Sequence, residues 1–354
     1  MESRGAGYYC PVLIGSNLLD SAGEYIRKHV RSERSAIISD SNVARLFADR
    51  VKRSLTSSGF RTMLITIPAG EKSKTLEQAG AICDRMIAAG MDRQSFVVGL
   101  GGGMIGDISG FVAAIYHRGI PHVQIPTTLL AMVDSSIGGK TGVDTGNGKN
   151  LIGAFHHPSL VIDDLDVLKT LPRRQFNQGF AEIIKHAVIT DAKMFGQLQH
   201  WKAGEGPALQ RLIKRNIRIK SQIVAKDERD RTGERALLNF GHTVGHAIER
   251  AGNYRKVLHG EAVSLGIVAA CAISVRKAGL PADQRAAVVN LLERFGLPTR
   301  LPSKFPRSKI LEAVKFDKKF ERGRVHFVIT PHIGTAYIAN NATLHDIREA
   351  VNEL

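Results

Sequence analysis

The first 130 residues alternate short, unbroken apolar runs with longer segments of helical period, and this alternation leaves few folds open. "SAIISD" (35–40) is an apolar run ending at Asp40, and "SNVARLFADRVKRSLTSSG" follows with helical spacing and stops at Gly59. "RTMLITIPAG" repeats the run-and-turn pattern; "KTLEQAGAICDRMIAAG" is amphipathic and ends at Gly90, a helix C-terminal signal. "SFVVGLGGG" is a buried strand entering a glycine turn, and "HVQIPTTLL" reads as another strand. Strands separated by helices cannot be joined by hairpins, so the expected architecture is an α/β domain with a parallel sheet and helices on both faces.

From about Phe176 the period changes. "FAEIIKHAVI", "ALQRLIKRNIRIKSQIVAKD", "LLNFGHTVGHAIERAG", "GEAVSLGIVAACAISVRKAG" and "DQRAAVVNLLERFG" all read as helices. The break at "KTLPRRQF", with Pro172, predicts an α/β domain over 1–172 and a mainly α-helical domain over 173–354. A length of 354 residues is enough for two cores.

The formal net charge of +16 calls for anionic partners, and clustering decides which. The basic runs "RLIKRNIRIK" and "FDKKFERGR" carry no interleaved exposed aromatics, and aromatic content is 6%, so base stacking on nucleic acid is poorly supported. A small substrate with several negative charges fits better. No window approaches the eighteen apolar residues of a membrane span, and "MESRGAGYYCPVLIGSN" lacks a signal-peptide layout. Cys10, Cys83 and Cys271 are scattered and show no C-x-x-C spacing. The expectation is a cytoplasmic protein with no membrane partner.

Three segments carry the chemistry. In "VVGLGGGMIGD", Gly101, Gly103 and Gly106 satisfy G-x-G-x-x-G after a strand, but the acidic residue expected about twenty positions on is missing. The turn reads either as a phosphate cradle of another fold or as tight packing of helix on sheet. "QIPTTLLAMVDSSIGGKTGVDTGNGKNLIGAF" (124–155) gathers Thr127, Thr128, Asp134, Lys140, Lys149 and Asn150 on glycine-shaped backbone. Lysines in a cleft need anionic partners to offset desolvation, so a polyhydroxylated anion is the expected ligand. In the second half, Glu182 and Lys185 lie three apart, His242 and His246 lie four apart, and His259 follows. One carboxylate with two histidines is a common zinc set with an open position, but spacing alone does not say which two of the three histidines bind.

With these segments together the chain resembles the 3-dehydroquinate synthases. The blocks that match are "GGGMIGDISGFVAAIYHRGI", "IPTTLLAMVDSSIGGKTGVD", "GKNLIGAF", "GFAEIIKHA", "DERDRTGERALLNFGHTVGHAIE", "LHGEAV" and "FDKKF", in order across about 97–320, with weaker matches at "ISDSN" and "AGEKSKTLE". The resemblance implies a Rossmann-like nucleotide-binding domain, a helical metal-binding domain and a site in the cleft between them. It implies the substrate 3-deoxy-D-arabino-heptulosonate 7-phosphate, a small anionic phosphosugar. Transient oxidation by NAD, loss of phosphate, return of the hydride and an intramolecular aldol closure then give 3-dehydroquinate.

Carried over residue by residue, the resemblance gives Glu182, His242 and His259 to a zinc or cobalt ion and turns His246 toward the substrate. It gives Lys140, Asn150, Lys185, Lys220, Arg235, Asn239 and Lys318 to the substrate's carboxylate, hydroxyls and phosphate. Arg118 resembles an arginine that reaches the phosphate from a neighbouring subunit, which implies a homodimer. Asp40, Asn42, Glu71, Lys74, Gly102, Gly103, Asp107, Thr127, Thr128, Asp134, Lys149 and Thr170 resemble NAD contacts. The chain departs from the pattern in three places: one extra residue in "TGERA" before Arg235, Asp144 where Asn is usual, and His186 where Tyr is usual. The first bears on the assignment of Lys220.

Two related activities compete. Other sugar-phosphate cyclases, such as 2-deoxy-scyllo-inosose or 2-epi-5-epi-valiolone synthases, share the metal set and NAD but handle sugars without the carboxylate. "VDSSIGGKT", with Lys220 and Arg235, favours the dehydroquinate enzyme. A metal-dependent polyol dehydrogenase related to glycerol dehydrogenases would instead accumulate NADH.

Overall fold

Each apolar run of the first half becomes a strand of one sheet. In chain order these are β1 (Glu2–Gly5), β2 (Tyr8–Gly15), β3 (Arg34–Asp40), β4 (Arg61–Ile67), β5 (Phe96–Gly101) and β6 (His122–Pro126), then a hairpin of β7 (Lys140–Thr145) and β8 (Gly148–Phe155), and β9 (Leu160–Asp164). The computed structural model describes residues 1–5, 8–146, 148–202, 206–253, 256–315, 320–321 and 324–354. The sheet runs β1-β2-β9-β6-β5-β3-β4, parallel throughout except for the β1–β2 edge. β5 and β9 are buried at every residue and β3 at all but its first, which is why their sequences read as unbroken apolar runs rather than alternating ones. Ala36, Ile38 and Val97 from the sheet pack with Ile105, Ile108 and Val112 of the helix Gly103–Ile115 to make the core on one face.

Strand order reverses beside β3, since β4 lies on one side of it and β5 on the other. Open α/β sheets bind ligands at such a switch point, outside the carboxyl ends of the strands. Those ends here are Asp40 on β3 and the glycine turn after β5. The turn's glycines divide between two roles. A Cβ on Gly101 would fall 2.6 Å from Ile105, and one on Gly106 2.9 Å from the Gln124 side chain, so these two serve close packing of helix on sheet. Gly102 is the N-cap of the Gly103–Ile115 helix and supplies no side-chain cap, a helix terminus of the kind that suits an anion.

Within the glycine-rich stretch after β6, residues 140–155 form a hairpin: β7 and β8 pair antiparallel from Lys140↔Phe155 to Thr145↔Gly148. Contacts divide the chain into two compact units, Met1–Leu171 with Gly206–Ser221, and Pro172–Glu205 with Gln222–Leu354. The chain therefore crosses back into the first unit at 206–221, where the Gln210 amide donates to the Ile14 carbonyl at 2.6 Å.

The second unit is built on the helix Arg173–Thr190, buried continuously from Gln178 to Ile189. The helix His259–Ala278 packs beside it, and the helix His242–Ala251 packs against His259–Ala278. A Cβ on Gly260 would lie 2.5 Å from the Gln178 carbonyl, and one on Gly266 1.9 Å from the Gly241 carbonyl. Only glycine permits backbones this close, and the contact at Gln178 brings His259 to within one helical turn of Glu182. The sequence's helical reading missed a small antiparallel sheet, β10 (Phe320–Glu321), β11 (Arg324–His332) and β12 (Thr335–Thr343). It is pinned to the helix His259–Ala278 by the Thr330 N–H donating to Ser274 Oγ at 3.1 Å. Among the described residues no helix is long and apolar enough to cross a membrane.

Candidate active site

In the second unit Glu182, His242 and His259 converge, each offering a donor atom within 4.8 Å of the others. Glu182 Oε1 lies 3.4 Å from His242 Nε2 and 3.8 Å from His259 Nε2. Zinc bonds of roughly 2.1 Å at tetrahedral angles hold ligand atoms about 3.4 Å apart, so the group needs little adjustment to enclose an ion. The chemistry of the donors agrees. Glu182 is wholly buried and neither carboxylate oxygen receives a well-formed hydrogen bond, although the Lys185 ammonium touches it. Burial alone would raise this carboxyl; Lys185 and His242 reverse that and hold it well below the usual range, as a carboxylate.

The two histidines are prepared differently. Burial and the Lys185 charge push His242 down, so its imidazole is neutral. Its Nδ1 lies 3.2 Å from the Phe240 carbonyl, which can only accept; Nδ1 therefore carries the proton and Nε2 the lone pair. Burial also opposes charging His259, but Glu182 and Glu249 pull it up to about 10. Its Nδ1 sits 3.3 Å from Glu249 Oε2.

His246 is exposed, with its ring 5.2 Å from that of His242 and 6.1 Å from that of His259. His246, Glu249 and His259 form a second group of metal-ligating type. Glu249 is 2% exposed and was not singled out from sequence, yet a signal was there: it stands seven residues after His242 and three after His246, on one helical face. His186, one turn after Glu182, is fully buried.

Arg235 follows a loop organised by Asp227, whose carboxylate accepts the N–H groups of Arg231 at 2.7 Å, Thr232 at 3.2 Å, Gly233 at 3.0 Å and Arg235 at 3.3 Å. Burial works against that carboxylate, but the backbone donors hold it at about 2. The turn leading to Arg235 is closed by Gly233 at φ +90°. The Arg235 guanidinium is buried and donates to the Glu228 carbonyl at 2.8 Å. Asn239 ends the following 3-10 turn, half-buried.

In the first unit the centre is Lys74, 2% exposed, with its ammonium 2.8 Å from Glu71, 3.1 Å from Asp107 and 3.5 Å from Asp144. Burial opposes its charge, but the three carboxylates raise it above the usual lysine range. Burial outweighs Lys74 at Asp107, whose carboxyl rises to about 6, and Asp144 is raised for the same reason. Lys149 reaches Glu71 at 3.5 Å, and the Asn150 N–H donates to Asp144 at 2.9 Å from a backbone at φ +54°. Four of the sequence-chosen nucleotide contacts, Glu71, Lys74, Asp107 and Lys149, thus stand together, with Asp144 among them.

The remaining candidates are dispersed. Asp40 caps its own helix by accepting from Asn42 and Val43 at 2.9 and 3.1 Å, while the Asn42 side chain is exposed. Thr127 is buried and Thr128 half-buried; Thr128 Oγ1 accepts from the Ala131 N–H at 3.1 Å. Lys220 donates to the carbonyl of Asp134 at 2.7 Å and to its carboxylate at 2.5 Å, joining a substrate candidate to a nucleotide candidate. Lys140 is exposed at the start of β7. Thr170 is exposed, and its hydroxyl donates to Val167 of its own turn at 2.9 Å. Arg118 is exposed on a left-handed run, with φ +49° at His117, +70° at Arg118 and +124° at Gly119. Lys318 lies outside the described residues.

The model for the 3-dehydroquinate synthase N-terminal domain matches residues 64–178, and that for the C-terminal domain matches 179–320. A 3-dehydroquinate synthase of Symbiobacterium thermophilum is 44% identical over 351 residues, covering 97% of each chain. One of Desulforamulus reducens is 41% identical over 347 residues, covering 97% of this chain and 96% of its own. Among solved structures, a 2-deoxy-scyllo-inosose synthase in complex with carbaglucose-6-phosphate, NAD+ and Co2+ superposes with a TM-score of 0.91 at 25% identity, over 100% of this chain and 99% of its own. A 2-epi-5-epi-valiolone synthase of Streptomyces hygroscopicus with NAD+ and Zn2+ gives 0.89 at 28% identity, over 99% of this chain and 97% of its own. A probable glycerol dehydrogenase of Sinorhizobium meliloti, at 16% identity and a TM-score of 0.68, shares the fold. Matched along both family models, and more than 40% identical over nearly its whole length to relatives bearing that name, the chain belongs to the 3-dehydroquinate synthase family.

Proposed function

We propose that the chain converts 3-deoxy-D-arabino-heptulosonate 7-phosphate to 3-dehydroquinate and phosphate, with NAD and a divalent zinc or cobalt ion as cofactors. The observation that carries this reading is the buried, ionised Glu182 beside a neutral His242 and a carboxylate-backed His259, in a chain of this family. When bound, the metal supplies Lewis-acid polarisation of a substrate hydroxyl, and NAD supplies a hydride acceptor that later returns the hydride.

The chain's own residues do the rest. Glu182, His242 and His259 hold the ion. Lys185 balances Glu182 and presents a cation beside it. His246, exposed to solvent, holds or passes a proton at its imidazole. Lys140, Asn150, Lys220, Arg235, Asn239 and Lys318 bind the carboxylate, hydroxyls and phosphate. Asp40, Asn42, Glu71, Lys74, Gly102, Gly103, Asp107, Thr127, Thr128, Asp134, Lys149 and Thr170 form the nucleotide side; the uncapped helix at Gly102 and the switch point at β3 and β5 support placing a pyrophosphate there. Arg118 completes the phosphate site of a second copy, so the working form is a homodimer, in the cytoplasm.

The test is phosphate release from the heptulosonate phosphate, with and without NAD+ and a chelator, against glucose 6-phosphate and sedoheptulose 7-phosphate. Dependence on both cofactors, with no net NADH, is the expected result. Turnover of the other two sugars in preference would overturn the substrate, and accumulating NADH would overturn the cyclase chemistry.

A further inference from the structure

We infer that Glu249 is a positioning residue for the metal centre: its carboxylate holds His259 with Nδ1 protonated, so that Nε2 faces Glu182 as a lone-pair donor. This rests on the reading of Glu182, His242 and His259 as the metal ligands. The geometry is direct. His259 Nδ1 is 3.3 Å from Glu249 Oε2, while Nε2 on the opposite side of the ring is 3.8 Å from Glu182 Oε1. An imidazole whose Nδ1–H donates a hydrogen bond to a carboxylate has one nitrogen left for coordination, and the negative charge behind the ring makes that nitrogen a stronger donor.

Glu249 is suited to the role by its surroundings. It is 2% exposed, so its carboxylate acts in a low dielectric rather than through water. It stands on the same helix as His242, seven residues on, and packing of that helix against His259–Ala278 at Gly241 and Gly266 fixes its distance from the ring. The two histidines thus receive different support: the neutral Phe240 carbonyl stands behind His242, and a full carboxylate behind His259.

Glu249 could instead be a ligand itself, since His246, Glu249 and His259 also lie close enough to hold an ion. That set is disfavoured because it would use the exposed His246 and leave the buried Glu182 carboxylate without a cation other than Lys185.

The experiment measures the zinc dissociation constant by chelator competition, together with the melting temperature of the metal-free protein, for the wild type, Glu249→Gln, Glu249→Ala and His242→Ala. Glu249→Ala is expected to weaken zinc about 10–100-fold. Glu249→Gln should weaken it less, because its amide oxygen still accepts from Nδ1. The cobalt absorption spectrum of both variants should match that of the wild type. Wild-type affinity in Glu249→Ala and Glu249→Gln overturns the inference, even where the melting temperature falls. Loss of zinc in Glu249→Gln to the level of His242→Ala also overturns it and makes Glu249 a ligand. A wild-type protein that takes up no stoichiometric zinc or cobalt overturns the metal reading, and this inference with it.

Discussion

Replacing Asp107 by Asn tests whether the Lys74 cluster is kept for binding rather than for stability. Asp107 is half-buried, and desolvation of its carboxyl outweighs the attraction of Lys74 and raises it from 3.8 to about 6. Below about pH 4 the group is neutral in both the folded and the unfolded chain and contributes no difference. Between about pH 4 and 6 the unfolded chain releases its proton while the folded chain keeps it, so wild-type stability falls as pH rises; above 6 the full penalty applies. A shift of that size corresponds to about 3 kcal/mol at 1.36 kcal/mol per pH unit. Asn keeps a side-chain oxygen for Lys74 but has no charge to desolvate. Lys74 then retains Glu71 and Asp144 but loses one of three carboxylates, so about 3 kcal/mol is an upper limit. Urea unfolding of the metal- and nucleotide-free protein at pH 7.5 and 4.5 reads the effect. Asp107→Asn should be the more stable protein at pH 7.5, its advantage should shrink to about a third at pH 4.5, and its affinity for NAD+ should drop. A variant less stable than wild type at pH 7.5 would refute the reasoning, because Lys74 would then be worth more to Asp107 than burial takes away.

The remaining expectations are briefer. His242→Ala should lose zinc and turnover together, whereas His246→Ala should keep stoichiometric zinc and turn over slowly; metal analysis of the two purified proteins decides between them. Because Glu182 and Glu249 lift His259 to about 10 in the metal-free protein, zinc must displace a proton from it at neutral pH. Zinc affinity should therefore rise about tenfold per pH unit between 6.5 and 8.5, and a flat titration would contradict the charge state. Asp227→Asn should loosen the 227–235 turn and cost about 2 kcal/mol at pH 7, since its carboxyl falls from 3.8 to about 2 in the fold. That loss should disappear as pH falls through 4 toward 2, and limited proteolysis within 227–235 should speed up at pH 7; equal cleavage rates would argue against the role of Asp227.

Much of the frame was legible in the chain because its signals are local. The unbroken apolar runs at β3 and β5 announce strands covered on both faces, and Gly90 marks a helix end wherever the rest of the chain goes. The hairpin β7–β8 and the sheet β10–β12 were not legible. In 140–155 glycines replace the side chains whose alternation would mark a strand, and 320–343 mixes polar residues and a proline into its period. The segment 206–221 has helical period in either unit, and only packing on Ile14 and Asp134 gives it to the first.

By itself the sequence determined the donor types: a carboxylate and three histidines on helical segments, and lysines with carboxylates among glycines. Spacing did not say which of them meet, although the family resemblance named Glu182, His242 and His259. In the tertiary structure, with close backbone contact at Gly260 and Gly266, those three converge, and the exposed His246 stands beside them with Glu249. The same is true of Lys74, which gains meaning only when Asp107 and Asp144 arrive from 33 and 70 residues away. Period and spacing are set by a residue's neighbours in the chain, whereas charge state and ligand geometry are set by burial and by groups brought in from elsewhere.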